Sequence, residues 1–151
     1  MQAVADEGVY IWTERVTHDQ RSSIEKSISD PKALLAVAEV DGKVVGSIGL
    51  RRYGEARKTE HVRNLGMLVV DGYRGMGVGS ALMEFAIAWA KKKGVEKILL
   101  GVFSSNRRAK KLYQNFGFQV EGRLKGQHRI RGEYVDEILM GLQLGMHSLP
   151  M

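Results

Sequence analysis

The chain has 151 residues, and its 44% hydrophobic and 26% charged content is the balance of a globular protein with one domain and a real core. It contains no cysteine, which excludes a disulfide scaffold, a Cys-ligated zinc site and thiol catalysis by the protein itself. A net charge of +6 admits an anionic ligand, an anionic surface or nucleic acid, but the basic residues are scattered without interleaved aromatics, so nucleic acid is disfavoured.

No run of about 18 apolar residues is present to span a membrane. Met1 to Asp6 has neither the basic start nor the apolar stretch of a secretory signal, which fits a cytoplasmic protein. Val9 to Thr13 reads as a short extended piece. Thr17 to Ser29 reads as a helix with Thr17 as N-cap and Ile24 and Ile28 on one face, stopped at Asp30-Pro31. Ala33 to Val40 and Val44 to Arg52 are predicted strands joined at Asp41-Gly42, a hairpin signal. Glu60 to Val70 is a third strand, antiparallel to the second if Gly54 to Thr59 is a simple reversal. Ser80 to Lys93 follows as an amphipathic helix, with Leu82, Phe85, Ala86, Trp89 and Ala90 expected to face the sheet.

Lys97 to Phe103 is apolar on both sides around Gly101, the mark of a central strand. Asn106 to Phe116 is a helix with Ala109, Leu112, Tyr113 and Phe116 inward and Gly117 as its left-handed cap. Phe118 to Lys125 and Tyr134 to Leu144 close the chain as two strands, linked by a basic segment that turns at Gly132. The pattern is a single domain over residues 1–151, of mixed α/β (α+β) class, with antiparallel and parallel strand pairs.

Between the third strand and its helix lies Arg74-Gly75-Met76-Gly77-Val78-Gly79. The start of a helix carries backbone N–H groups with no intrahelical partner and a partial positive charge. Glycines let an anion approach those groups, Arg74 adds a planar cation suited to phosphate, and no Asp or Glu lies between Arg74 and Met83. The stretch from Arg74 to Ser80 therefore reads as a pyrophosphate cradle. It is not a P-loop, because Val78 and not Lys follows Gly77. Nor does it have dinucleotide-binding spacing, because Gly77 and Gly79 enclose a single residue.

The Arg-x-x-Gly-x-Gly spacing resembles motif A of the GNAT superfamily of N-acetyltransferases. Asn106-Arg107-Arg108-Ala109 through Leu112-Tyr113 to Gly117-Phe118 is similar to that family's Asn-x-x-Ala-x-x-Leu-Tyr-x-x-x-Gly-Phe signature. The closing segment, Glu121-Gly122-Arg123 to Asp136-Glu137, resembles a branch that acetylates amino acids, phosphinothricin-type herbicides and protein termini. The resemblance runs from about Leu35 to Leu144. It implies a twisted, mostly antiparallel sheet with flanking helices and a splayed parallel strand pair, and acetyl-CoA as cosubstrate.

The resemblance also implies roles. Backbone groups of Leu68, Val69 and Val70, with a bulge at Gly66, would pair with the pantetheine arm. Arg74, Gly75, Met76, Gly77, Val78, Gly79 and Ser80 would hold the pyrophosphate. Asn106 and Ala109 would contact the cofactor, and Tyr113 would sit beside the thioester sulfur as the general acid. A phenol is protonated at neutral pH, which suits that task. An alkyl amine with a pKa near ~10 must lose a proton before direct attack, and the tetrahedral intermediate needs donors for its oxyanion.

Many relatives place Glu or Asp where this chain has Asn64. An amide can hold a water but cannot itself take the proton, so Glu60, on the same strand face by period-two alternation, is a candidate water-linked base. His61 is less favoured, and Glu133, Tyr134 and Glu137 are candidates to touch the acceptor. The four histidines lack metal-ligand spacing, so no metal is expected. The family's opening strand is not visible, and a missing edge strand invites pairing with a second copy, so a homodimer is expected. The expected function is acetyl transfer to a primary amine of a small molecule, with an amino acid, a protein N-terminus or an aminoglycoside as acceptor. The rival reading is a non-catalytic acyl-CoA sensor.

Overall fold

The computed structural model describes residues 28–145. The expected extended piece at Val9 to Thr13, most of the helix from Thr17 and the question of an opening strand lie outside them. Within them the order is β1 (Leu34–Val40), β2 (Lys43–Arg52), β3 (Val62–Val69), α1 (Val78–Lys92), β4 (Lys97–Phe103), α2 (Arg107–Asn115), β5 (Gln119–Ile130) and β6 (Glu133–Gln143). The six strands form one sheet in the order β1-β2-β3-β4-β6-β5, antiparallel except for the parallel pair β3–β4. The expected class and element order hold, and β4 is internal as its two-sided apolar character requires.

The hairpin at Asp41-Gly42 forms because both residues adopt positive φ, 50° and 76°, the geometry that matches strand twist in a two-residue loop. β3 begins two residues later than the sequence suggests. Glu60 is helical in backbone at the end of a short 3-10 turn, Arg57–Thr59, so strand alternation does not reach it. The last hairpin is longer than expected. The basic segment is itself strand, with pairing resumed at His128↔Val135 after an irregularity between Leu124 and His128, and the turn is made by Arg131 and Gly132 at positive φ.

Cross-strand pairs Leu50↔Leu65, Leu100↔Met140 and Val102↔Ile138 point to one face of the sheet. That face holds the core, closed by Leu82, Met83, Ala86 and Ala90 of α1 and by Tyr113 and Phe118. Phe85 does not face the sheet as expected; it is 57% exposed, and Met83 takes the inward place. The apolar stripe is therefore centred on Leu82, Ala86 and Ala90, where small residues let the helix lie close. Trp89 packs only at the margin of the core. α1 ends where expected, with Gly94 at φ 74° and its N–H donating to the Lys91 carbonyl.

Candidate active site

The parallel pair β3–β4 is ordinary only at its start. Val62↔Lys97, Arg63↔Ile98 and Asn64↔Leu99 are in register, and no pairing follows. Leu65 to Val69 and Leu100 to Phe103 continue as strands but part from each other, leaving a fork whose vertex is Asn64. The splay expected from the resemblance is present. Gly66 makes no bulge, because β2 and β3 stay in register through Gly49↔Gly66.

Which backbone groups line the fork follows from one hydrogen bond. Val70 N–H donates to the Val45 carbonyl at 2.8 Å. In an antiparallel pair, alternate residues turn their N–H and C=O toward the partner strand. Val70, Leu68, Gly66 and Asn64 therefore bond to β2, while Val69, Met67 and Leu65 turn theirs to the fork. Of the expected trio Leu68, Val69 and Val70, only Val69 presents its backbone there. Met67 and Leu65 were missed. The signal that could have found them is the Asp41-Gly42 turn, which fixes β2, but the β2–β3 register depends on a loop the sequence does not specify.

The cradle has the geometry its composition calls for. Gly75 and Gly77 sit at φ 77° and 83°, and a Cβ at either would meet nothing within 4 Å, so the space before the helix is open. Gly77 is the N-cap, no side chain caps the helix, and its first turn contains no acid. The first N–H groups of α1 are thus presented to an anion. Arg74 lies beside them, in an ion pair with Asp71 at 3.3 Å. Asp71 also accepts from Gly72 N–H. Glycines, uncapped N–H donors and one guanidinium fit the diphosphate of CoA.

Asn106 caps α2, its Oδ1 accepting from Ala109 N–H at 3.1 Å, while its own N–H donates to the Phe103 carbonyl. Its structural role is therefore established by geometry. Tyr113 is buried in the core cluster, with its ring 5.7 Å from that of Phe118. Burial pushes its phenol up to about 12, so it is protonated throughout the neutral range. No hydrogen bond engages its side chain, yet no buried side-chain N or O among the described residues lacks a partner, so its hydroxyl reaches solvent.

Asn64 and Glu60, expected to act together through a water, separate. Asn64 is exposed, opposite Arg51 and Leu99 on the sheet face away from α1. Glu60 lies before the strand, ion-paired to Lys32 at 2.6 Å, and that hydrogen bond holds its carboxyl below the usual range. Glu60, Lys32, His61 and Arg63 line a cavity at the closed end of the fork, together with Gly94 and Glu96 from the far end of α1. The structure does not bring Glu60 and Asn64 onto one surface.

The loop from β4 to α2 is held by β6. Ser104 N–H donates to the Asp136 carbonyl at 2.8 Å, and Asp136 N–H donates to Ser104 Oγ at 3.2 Å. The Asp136 carboxylate accepts from Gly126 N–H and from Arg123, which lowers its pKa and shapes the irregular stretch of β5. Sequence reasoning did not single out this brace.

A fork between parallel strands, a glycine cradle at the following helix and a Tyr-bearing second helix define an acyl-CoA-dependent transferase site. The sequence profile of the acetyltransferase (GNAT) family matches residues 2–118, and the chain belongs to that family. It is an acetyl-CoA-dependent N-acetyltransferase. It is 34% identical to the L-amino acid N-acetyltransferase AaaT of Escherichia coli, over 92% of this chain and 86% of that protein. A GNAT acetyltransferase from Streptococcus pneumoniae superposes with a TM-score of 0.86 at 25% identity, covering 95% of this chain and 89% of that one. A Salmonella typhimurium acetyltransferase solved with acetyl-CoA shares the fold, with a TM-score of 0.86 at 22% identity over 99% and 87% of the two chains.

Proposed function

We propose that this enzyme acetylates the primary amine of a small molecule, with an L-amino acid as the leading acceptor. The observation that carries the reaction is the fork beyond Asn64, continuous with the cradle at Gly75 and Gly77. The acceptor class rests on the 34% identity to an L-amino acid N-acetyltransferase across most of both chains.

Bound acetyl-CoA supplies a thioester, an acyl group already activated toward amines. The chain holds it by the first N–H groups of α1 and by Arg74 at the diphosphate, and by the outward backbone of Met67 and Val69 along the arm. Asn106 and Ala109 stand at the end of β4 and are tied to each other, so they shape that end of the groove. The Tyr113 hydroxyl donates its proton to the leaving sulfur; burial keeps that proton on the phenol until it is needed. Asn64, at the vertex, holds a water near the incoming amine. Glu60 has the least support as the base, because Lys32 occupies its carboxylate and it lies off the strand.

The test is thiol release from acetyl-CoA with the twenty L-amino acids, an alanine-terminated peptide and an aminoglycoside, with products identified by mass spectrometry. Turnover with one or more amino acids is expected. Tight CoA binding with no turnover of any amine would favour the sensor reading.

A further inference from the structure

Arg63 and Glu137 are the buried charged residues among those described. Arg63 is satisfied by the carbonyls of Lys32, Glu60 and Val62. Glu137, 6% exposed, has one partner of a different kind: His128 Nε2 lies 3.2 Å from its Oε2. A carboxylate accepts, so the contact is a hydrogen bond from His128 in the tautomer that carries its proton on Nε2. The His128 ring in turn stands edge-on to Phe103, with centroids 4.9 Å apart. No Lys or Arg among the described residues pairs with this buried carboxylate, whose partner is an imidazole that is charged only when protonated; such burial is costly, and apolar residues fill the comparable sites on the other face of β6.

Its place in the sheet gives it a use. Glu137 is the register partner of Phe103 on β4, and β4 is the strand whose other edge is the fork. It belongs to the face opposite Ile138, and so opposite α1, α2 and Tyr113. The cradle and Tyr113 occupy the helix face, so an amine meeting the thioester in the fork comes from the other face. The neighbouring carboxylates are Glu121, on the edge strand β5, and Asp136, next to Glu137 on β6 and turned to the opposite face, and both are taken. Glu121 is bound to Lys97 at 2.6 Å, and Asp136 to Arg123 and Gly126 N–H. Among the described residues Glu137 is the buried carboxylate on this face, and no Lys or Arg among them pairs with it.

We infer that Glu137, oriented by His128, is the acceptor-side base. This inference rests on the reading of the chain as an amine acetyltransferase. The acceptor arrives as an ammonium ion and donates to Oε1, the oxygen His128 leaves free. One N–H bond breaks and one O–H bond forms. The ammonium and carboxylate become a neutral amine with a free lone pair and a neutral carboxylic acid, which later returns the proton to solvent. The site therefore selects amines that are cationic in solution, and the chain supplies its base from β6 and not from the strand that carries Asn64.

The test compares wild type with Glu137→Gln, using the best amine of the panel above. Glu137→Gln is expected to lower kcat/KM for the amine by at least about 100-fold at pH 7, the range typical of a lost general base. Acetyl-CoA affinity by calorimetry should stay within about twofold, because the cradle is untouched. The deficit should shrink as pH rises toward the amine's own pKa, since a free amine needs no base; a merely structural role would leave the pH profile unchanged. If Glu137→Gln fails to fold, Glu137→Asp decides. It keeps the charge and withdraws it by one methylene, so a folded protein with a large loss in kcat/KM supports the role and wild-type activity overturns it. An active wild type with an equally active Glu137→Gln refutes this inference alone. A wild type that turns over no amine refutes the acetyltransferase reading and this inference with it.

Discussion

Gly79 and Leu112 touch across the two helices of the site: a Cβ on Gly79 would stand 3.1 Å from Leu112 Cδ2. The helix that offers its N–H groups to the diphosphate thus abuts the helix that carries Tyr113, at the residue beside it. Alanine at position 79 gains up to about 1 kcal/mol of helix propensity over glycine but is squeezed by Leu112. Gly79→Ala should be destabilising by about 1 kcal/mol in wild type and stabilising in a Leu112→Ala background. Urea unfolding of the four proteins measures the coupling.

Gly46 is a packing glycine of a stricter kind. A Cβ there would lie 3.0 Å from the Leu68 carbonyl, 3.1 Å from Val78 Cγ1 and 3.2 Å from Leu82 Cδ1. The carbonyl belongs to β3 and cannot swing aside as a side-chain end can. Gly46→Ala should cost about 1–3 kcal/mol by urea unfolding and weaken acetyl-CoA binding, because it pushes β3 and the start of α1 away from β2.

At the cradle, conformation and charge can be separated. Gly77 sits at φ 83° with open space where a side chain would go. Gly77→Ala should lose about 1–2 kcal/mol of stability from left-handed strain. Gly77→Glu adds a negative charge where phosphate belongs, and calorimetry should show acetyl-CoA binding abolished.

Tyr113→Phe should lower kcat while leaving acetyl-CoA affinity nearly unchanged; unchanged turnover would remove the acid role. The same variant has a signature in alkali. The Tyr113 phenol is raised from 10.0 to about 12 by burial. Between those values the unfolded chain has released the proton and the folded one has not, so stability falls as pH rises through that window. Two units correspond to about 2–3 kcal/mol. Tyr113→Phe has no phenol to titrate and should lose that much less between pH 10 and 12 in urea unfolding.

Much of the site was legible from residue types at fixed spacing. The Arg74-to-Gly79 stretch could only be a turn entering a helix, because positive φ and an uncapped helix start are local demands that glycine meets. Asn106, Gly117 and the Asp41-Gly42 turn were legible for the same reason. Phe85 was misplaced because Phe85 and Met83 both fit an apolar stripe at helical spacing, and only contact with the sheet decides which turns inward. Glu60 was drawn into β3 because nothing in its neighbourhood signals the short helical turn that ends there.

Short-range physics thus specified the elements, their caps and the anion-binding turn. The register of β3 on β2 was decided in three dimensions, and with it the fact that Met67 and Val69, not Leu68 and Val70, face the fork. So was the meeting of His128, Glu137 and Phe103, which come from three strands and share no sequence spacing. A hydrogen bond within a turn depends on residues a few positions apart, whereas a fork and a buried carboxylate depend on which strands lie side by side, and that is set only when the whole apolar face is buried at once.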